Sequence, residues 1–167
     1  MSVSRKIIID LTESMAKVDV PVQFQGEFQL DADLLQYPNA KLEKILVDFD
    51  VTFENPIVFV EGEITCVVSG LCDRCLQQIT HKQFVLPFQQ EFFKDFADDD
   101  SYVYCDSKLD ATKAVQDEIV LSMPTNLLCK EGCKGLCPKC GADLNTQQCS
   151  CDTAKPNAFS VLKNLKL

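Results

Sequence analysis

The sequence predicts an α+β fold with a mainly antiparallel β body, one or two short helices and a cysteine-rich C-terminal segment. Three observations lead to this prediction. Apolar and polar residues alternate with a period of two through much of residues 18–93, as in half-buried strands. Residues 110–123 carry a stretch of helical spacing. Six of the ten cysteines crowd into residues 129–151.

The first predicted strands lie in the N-terminal third. One has apolar residues on alternate positions, interrupted by a glycine: Val18, Val20, Val22, Phe24 and Phe28. A short helical turn is predicted over 31–36. The clearest strand covers 47–54, where valine and phenylalanine alternate with polar residues, which indicates one buried and one solvated face.

Two further strands are predicted around a pair of cysteines. After the turn signal Asn55-Pro56, alternation resumes over 58–68 and again over 79–93. Pro87 predicts an edge position or a bulge, because proline has no amide hydrogen to donate. We therefore expect Cys72 and Cys75 at the tip of a β-hairpin. Cys66, on an apolar strand position, is expected in the core.

One helix is predicted after the strands. Asp110 is a suitable N-cap, apolar residues follow at helical spacing, and Met123-Pro124 ends the helix. At the C-terminus, Phe159, Leu162 and Leu165 recur every third residue, which predicts an amphipathic tail. Packing of this tail on its own domain is favoured over its use as a partner-binding peptide.

Composition and charge narrow the class of protein. The apolar fraction of 46% and charged fraction of 25% are those of a globular protein. The N-terminus has no signal-like apolar core, and no apolar stretch approaches the roughly 20 residues needed to span a bilayer, so we expect a cytoplasmic protein. Residues 1–128 carry a net charge of −12 and residues 129–167 a net charge of +3. We interpret them as an acidic body and a cysteine-rich segment with its tail, together forming one integrated domain.

The spacing of the cysteines predicts structural metal ligands. In a reducing cytosol disulfides do not persist, and clustered cysteines are more often metal ligands or redox groups. Cys72-Asp73-Arg74-Cys75 and Cys137-Pro138-Lys139-Cys140 both have the two-residue spacing of zinc knuckles. Tetrahedral zinc at about 2.3 Å from each sulfur needs thiolates about 3.8 Å apart, and a tight four-residue turn supplies them. The C-terminal segment is therefore interpreted as zinc-stapled.

Eight cysteines divide into two four-thiolate sites. The favoured grouping joins Cys72 and Cys75 to Cys129 and Cys133, and forms a local second site from Cys137, Cys140, Cys149 and Cys151. The close spacing of the last two leaves open that one of them is spare. The alternative is a single zinc bound by Cys129 or Cys133 with Cys137, Cys140 and a later cysteine. One or two Zn²⁺ ions per chain are expected.

Catalysis has little support in the sequence. A closed four-thiolate shell leaves no open position for a substrate or water. His81 is the only histidine, no nucleophile motif such as G-x-S-x-G accompanies it, and an exposed hairpin position is expected. Thioredoxin-like chemistry needs a Cys-x-x-Cys pair at a helix N-terminus, whereas this pair lies between predicted strands. We predict a protein that is not an enzyme.

Four segments carry a family resemblance. They are Gly70–Leu76 (G-x-C-x-R-C), Gln116–Pro124 (an acidic helix end before proline), Cys129–Asn145 (C-x3-C-K-G-L-C-P-x-C-G-x-x-L-N) and Lys155–Phe159 followed by Leu162. Together they resemble the YceD-like large ribosomal RNA subunit accumulation proteins, although Ala158 stands where that family usually has proline. The resemblance implies a role in accumulation or maturation of large-subunit ribosomal RNA or in ribosome assembly. Some relatives lack the later cysteines, which favours a separable second zinc site.

Three functions are weighed. The first is a non-catalytic ribosome-assembly or rRNA-accumulation factor that binds a ribosomal protein or pre-ribosomal particle. The alternatives are a thiol redox or chaperone-like zinc protein and a zinc-ribbon transcription accessory. An acidic body favours a basic protein partner over direct RNA binding. Contact with rRNA or a partner is expected at Lys130, Lys134, Lys139, Lys155, Phe159, Lys163 and Lys166.

Overall fold

A computed structural model describes residues 6–30, 34, 39–94 and 101–151. Within these residues the elements follow in chain order: β1 Ile8–Asp10, α1 Thr12–Ala16, β2 Val22–Phe28, β3 Ala40–Glu54, β4 Ile57–Leu71, β5 Gln78–Lys94, β6 Val103–Cys105, β7 Lys108–Asp110 and α2 Thr112–Ser122. The predicted combination of a mainly antiparallel β body with short helices is confirmed. The turn predicted at 31–36 and the tail with Phe159, Leu162 and Leu165 lie outside the described residues, Leu34 excepted.

The strands form one mixed sheet in the order β1-β7-β6-β5-β4-β3-β2. Neighbouring strands are antiparallel except β5 and β6, which pair in parallel at Phe93 and Lys94. The long strands β3, β4 and β5 make up most of the sheet as two consecutive hairpins. Pro87 pairs with Glu63 of β4 and, among the described strands, has no partner on its other side. The prediction of an edge position is confirmed, since a missing amide hydrogen costs nothing there.

One face of the long strands forms the core. Val47, Phe49, Val51 and Phe53 of β3 are buried, whereas Asp48 and Asp50 between them are exposed, as the period of two predicts. Cys66 on β4 is also fully buried, which confirms its predicted core position. The long strands thus share one buried apolar face, and the core includes Cys72 and Cys75 at the turn between β4 and β5.

The polypeptide before β2 differs from the prediction. Val18 and Val20 were expected on the first strand, but β2 begins at Val22, and both side chains are about half exposed, at 49% and 48%. The chain turns at Asp19, which has a φ of +60° and donates its amide to Phe53 O at 3.1 Å. A residue in this left-handed conformation ends the extended backbone, so the apolar alternation continues past the point where pairing stops.

Helix α2 precedes the segment that contacts the turn between β4 and β5. Ala114, Val115 and Ile119 are its buried residues, and the chain leaves it at Met123. The predicted N-cap was wrong by one residue: Ala111 occupies that position, because Asp110 still pairs with Ile8 as the last residue of β7. The Asp110 carboxylate nevertheless accepts the Thr112 amide at 3.0 Å. None of the helices in the described part of the chain has the length and apolar character that a membrane crossing requires.

Gly62 is expected to be irreplaceable at the centre of the sheet. It lies in register between Phe49 and Phe88, whose rings stack with centroids 4.7 Å apart. Its φ is +151°, and a Cβ atom would lie 2.0 Å from the backbone oxygen of Asp48. Gly62→Ala should therefore lower the free energy of unfolding by about 3 kcal/mol, because strain and a backbone clash add.

Urea denaturation measures this loss. Gly132→Ala is the matched control, because its φ of +69° is also positive but nothing lies within 4 Å of the added carbon. We expect that variant to lose only about 1 kcal/mol. Equal losses for the two variants would contradict the contribution of the clash.

Candidate metal centres

The turn of the β4–β5 hairpin holds the first pair of cysteines. The Cys72 amide donates to Gln77 O and the Leu76 amide to Cys72 O, each at 2.9 Å, and these bonds close a tight turn. Cys72 is fully buried and Cys75 is only 6% exposed. The pair is therefore at the hairpin tip, as the sequence predicts. A thioredoxin-like pair would lie at the start of a helix, whereas this pair lies between two strands.

Asp73, inside that turn, docks the segment that follows α2. Its amide donates to Leu127 O at 2.9 Å, and its carboxylate Oδ2 accepts the Leu127 amide at 2.6 Å. Leu127 itself is fully buried in the core. These contacts place Cys129, two residues further on, beside the hairpin tip.

Arg74 docks the same segment at a second point. Its guanidinium Nη1 donates to Cys133 O at 2.9 Å, and its carbonyl accepts the Leu136 amide at 3.1 Å. The φ of Gly135 is +73°, and a Cβ atom there would lie 2.9 Å from Arg74 O. A glycine is therefore required for this close approach. Sequence reasoning missed both Asp73 and Arg74 as positioning residues, although they are the two letters inside the Cys-Asp-Arg-Cys motif.

The first cluster consists of Cys72, Cys75, Cys129 and Cys133. The Cys72 and Cys133 Sγ atoms are 3.9 Å apart, the Cys75 and Cys129 Sγ atoms are 3.5 Å apart, and all four sulfurs lie within 4.8 Å of one another. Four thiolates around a tetrahedral zinc would be about 3.8 Å apart. The donor set and its spacing therefore fit one metal ion held between hairpin and C-terminal segment.

The second cluster consists of Cys137, Cys140, Cys149 and Cys151, whose sulfurs also lie within 4.8 Å of one another. The Gly141 amide donates to Cys137 O at 2.8 Å, and the Cys137 amide donates to Ala142 O at 2.8 Å. Gly141 has a φ of +72°, which lets the chain reverse directly after the cysteine pair. Both sulfurs of the Cys-x-Cys end face this cluster. Cys129 and Cys133 lie with the hairpin cysteines, so the sulfurs are arranged in the two-site grouping and not in the single-site alternative.

One thiol in each cluster has a strongly lowered pKa. Burial raises the pKa of Cys72, but hydrogen bonds from the backbone of Cys129, Cys75 and Arg74 outweigh it and bring the pKa to about 6. Backbone hydrogen bonds from Cys140 and Lys139 lower the pKa of Cys137 to about 6 as well. The thiolate is the form that binds metal, so these hydrogen bonds favour one ligand thiolate in each cluster. By contrast, hydrogen bonding to Cys140 together with burial raises the pKa of Cys151 to about 12, so the remaining thiols lose their protons when metal binds.

The other side chains that the sequence singled out are one histidine, one phenylalanine and six lysines. His81 is exposed, as expected, and its Nδ1 lies 2.6 Å from Glu43 Oε2. Lys130, Lys134 and Lys139 are exposed around the cysteines. Lys155, Phe159, Lys163 and Lys166 lie outside the described residues, so their contact role stays a prediction.

Thiol alkylation of the metal-loaded protein should separate the cysteines into three groups. Cys105 is exposed and outside both clusters, so it should react first. The eight clustered thiols should react only after a chelator is added, because metal-bound sulfur is a poor nucleophile. Cys66 should react only on unfolding, because it is fully buried and burial raises its thiol pKa to about 12. Mass spectrometry of peptides reads the order; rapid alkylation of Cys72 and Cys75 before chelation would support the redox alternative instead.

Comparison with known proteins identifies similar chains. A family model described as "Large ribosomal RNA subunit accumulation protein YceD" matches residues 60–166. The chloroplastic YCED homolog 1 of Arabidopsis thaliana is 35% identical over 60 residues, which cover 35% of this chain and 19% of that protein. The corresponding Zea mays protein is 38% identical over 61 residues, covering 36% and 21%. Both carry the name of a large ribosomal RNA subunit accumulation protein.

A bacterial relative extends the similarity further along the chain. An uncharacterized protein of Mycobacterium tuberculosis is 27% identical over 110 residues, covering 61% of this chain and 53% of that protein. The chain therefore spans about a fifth of the length of the plant relatives and about half of the mycobacterial one. No protein of solved structure matches it.

Proposed function

Because the chain belongs to the YceD family of large ribosomal RNA subunit accumulation proteins, we propose that it is a non-catalytic zinc-binding factor that supports accumulation of large-subunit ribosomal RNA. The observation that carries the zinc proposal is the convergence of eight cysteine sulfurs into two four-sulfur clusters. The proposed role in ribosomal RNA accumulation rests on the description of the family. The proposal places the protein in the cytoplasm, where thiols are kept reduced.

The donor chemistry favours zinc as the metal. Tetrahedral sets of four thiolates select zinc or iron–sulfur centres, and isolated four-cysteine knuckles are typical structural zinc sites. Cys72, Cys75, Cys129 and Cys133 would bind one ion, and Cys137, Cys140, Cys149 and Cys151 the other. The ions would fix loops, and no catalytic role is assigned to them, since four protein ligands leave no position for a reactant.

The charge of the sheet favours a basic protein as the direct partner. On the exposed face, Asp48 lies opposite Glu63 and Asp50 opposite Glu61, so like charges face one another across β3 and β4. Such pairs disfavour approach of a phosphate backbone and favour lysine- and arginine-rich protein surfaces. The exposed lysines around the cysteine clusters would supply the contact with ribosomal RNA in the same particle.

Two measurements test the proposal. In a strain lacking the gene, we expect less large-subunit ribosomal RNA, restored by the wild-type chain and by Cys105→Ser but not by Cys72→Ser. The protein should also co-sediment with large-subunit precursors in a salt-dependent manner. Unchanged ribosomal RNA in the deletion strain, together with no co-sedimentation at any ionic strength, would refute the ribosomal role. Metal analysis of the purified chain tests zinc separately.

A further inference from the structure

A short β-hairpin joins the two cysteine clusters. Its cross-strand contacts are Leu144 N to Gly135 O at 3.0 Å, the bridge between Leu136 and Asp143, and Cys137 N to Ala142 O at 2.8 Å. Cys133 of the first cluster precedes its first strand, and Cys137 of the second cluster ends that strand. The two clusters are thus the two ends of one small element.

Asn145 lies where the returning strand of this hairpin reaches the first cluster. Its Nδ2 donates to Cys133 Sγ at 3.4 Å and to Asp143 Oδ1 at 2.7 Å. Its Oδ1 accepts the Lys134 amide at 2.9 Å. A backbone amide can only donate and a carboxylate can only accept, so these neighbours fix the orientation of the side-chain amide. The donor that points at the Cys133 sulfur is therefore held in place.

The position of Asn145 in the sequence ties it to the other cluster. It lies between Cys140 and Cys149, so an ion bound by the second cluster closes the loop that contains it. Closing that loop removes conformational freedom from Asn145 before it reaches the Cys133 sulfur. An N–H donor to a thiolate spreads the negative charge that four sulfurs concentrate around one divalent ion. Ordering of the loop by the second cluster and hydrogen bonding to the sulfur of the first cluster thus both involve the Asn145 side chain.

We propose that Asn145 is a positioning residue that couples the two metal centres: an ion in the second cluster holds its amide on the Cys133 sulfur and so strengthens metal binding by the first cluster. This inference rests on the proposed function, because it requires both clusters to bind metal. Partners that orient metal ligands change affinity by about 10- to 100-fold when they are removed. Coupling between two binding sites is reciprocal, so an ion in the first cluster strengthens the second by the same factor.

Variants of Asn145 test the contact in the full chain. Asn145→Ala should weaken metal binding by the first cluster about 10-fold, because it removes the donor to sulfur. Asn145→Asp should weaken it further, because a carboxylate also places negative charge beside the thiolate. Gln148→Ala is the matched control, since Gln148 is exposed in the same loop, and it should bind as the wild type does. Titration with cobalt(II) against a competing chelator gives the affinities.

The coupling itself is tested by disabling the second cluster. Cys149→Ser should lower the affinity of the first cluster by a factor similar to that for Asn145→Ala, and the double variant should lose less than the product of the two factors. In cadmium NMR of the doubly loaded chain, Asn145→Ala should shift the first-cluster resonance more than that of the second. A purely structural defect would move both.

The outcomes separate the inference from the proposed function. If the wild-type chain binds two ions and neither Asn145→Ala nor Cys149→Ser changes first-cluster affinity, the coupling is refuted and the zinc proposal stands. If the two factors multiply fully in the double variant, Asn145 does not carry the coupling. If the wild-type chain binds no metal, the proposed function itself fails.

Discussion

Removal of metal by a chelator is expected to unfold residues 129–151 while the sheet stays folded. Between Cys129 and Cys151 the large aliphatic side chains are Leu136 and Leu144, which bury too little apolar surface to order the segment. A structural zinc site can contribute about 10 kcal/mol of coupled binding and folding free energy. Strands β3, β4 and β5 have their own apolar core and do not need that contribution.

Hydrogen exchange with mass spectrometry measures this result. Amides of 129–151 should be protected in the loaded protein and exchange freely after chelation. Amides of β3, β4 and β5 serve as the internal control and should keep their protection. Unchanged protection of 129–151 in metal-free protein would show that the cysteines order the segment by some other means.

Loss of one buried cysteine in each cluster is expected to have different consequences. Cys72→Ser removes a ligand that joins the hairpin tip to the C-terminal segment, so one ion should be lost and the segment should be held on the sheet only by the hydrogen bonds of Asp73 and Arg74. Cys137→Ser breaks the local second cluster, so one ion should be lost while the ion in the first cluster still joins the segment to the hairpin tip. The lower melting temperature should belong to Cys72→Ser, because its ligand closes a contact between residues far apart in sequence.

Native mass spectrometry counts the ions and calorimetry compares the melting temperatures. Cys105→Ser is the matched control, because Cys105 is exposed and lies outside both clusters, and it should keep two ions. Retention of two ions by Cys72→Ser, or a greater loss of stability in Cys137→Ser, would contradict the assignment of the first cluster as the tertiary link.

Periodicity predicted the sheet well where side chains alternate between solvent and core. Phe49 and Asp48 follow the pattern because a strand sends neighbouring residues to opposite faces. The edge position of Pro87 was also predictable, because proline has no amide hydrogen to donate and therefore tolerates a side of the strand that has no partner. The same pattern wrongly predicted that Val18 and Val20 belong to the first strand. Strand pairing ends before them, at a turn that is fixed by tertiary contacts and not by hydrophobicity.

The positioning residues around the cysteines were not predictable in the same way. Asp73, Arg74 and Asn145 are ordinary polar letters in the sequence, and their partners Leu127, Cys133 and Lys134 are known only once the chain has folded back on itself. Propensity and spacing report on neighbours along the chain. Hydrogen bonds between a hairpin tip and a segment more than 50 residues away do not leave such a signal.

The sequence by itself determined that this is a strand-rich acidic body with a cysteine-rich end, and its motifs pointed to the family, because alternation and ligand spacing are local properties of the chain. The cysteine spacing favoured the two-site grouping of sulfurs but left the single-site alternative open. Only the tertiary structure decided between them, because the answer depends on a hairpin tip and a post-helical segment arriving at the same place. Asp73 and Arg74 bring them there by binding the backbone of the incoming segment. The pairing of Cys72 with Cys133 is therefore a property of the fold and not of either motif alone.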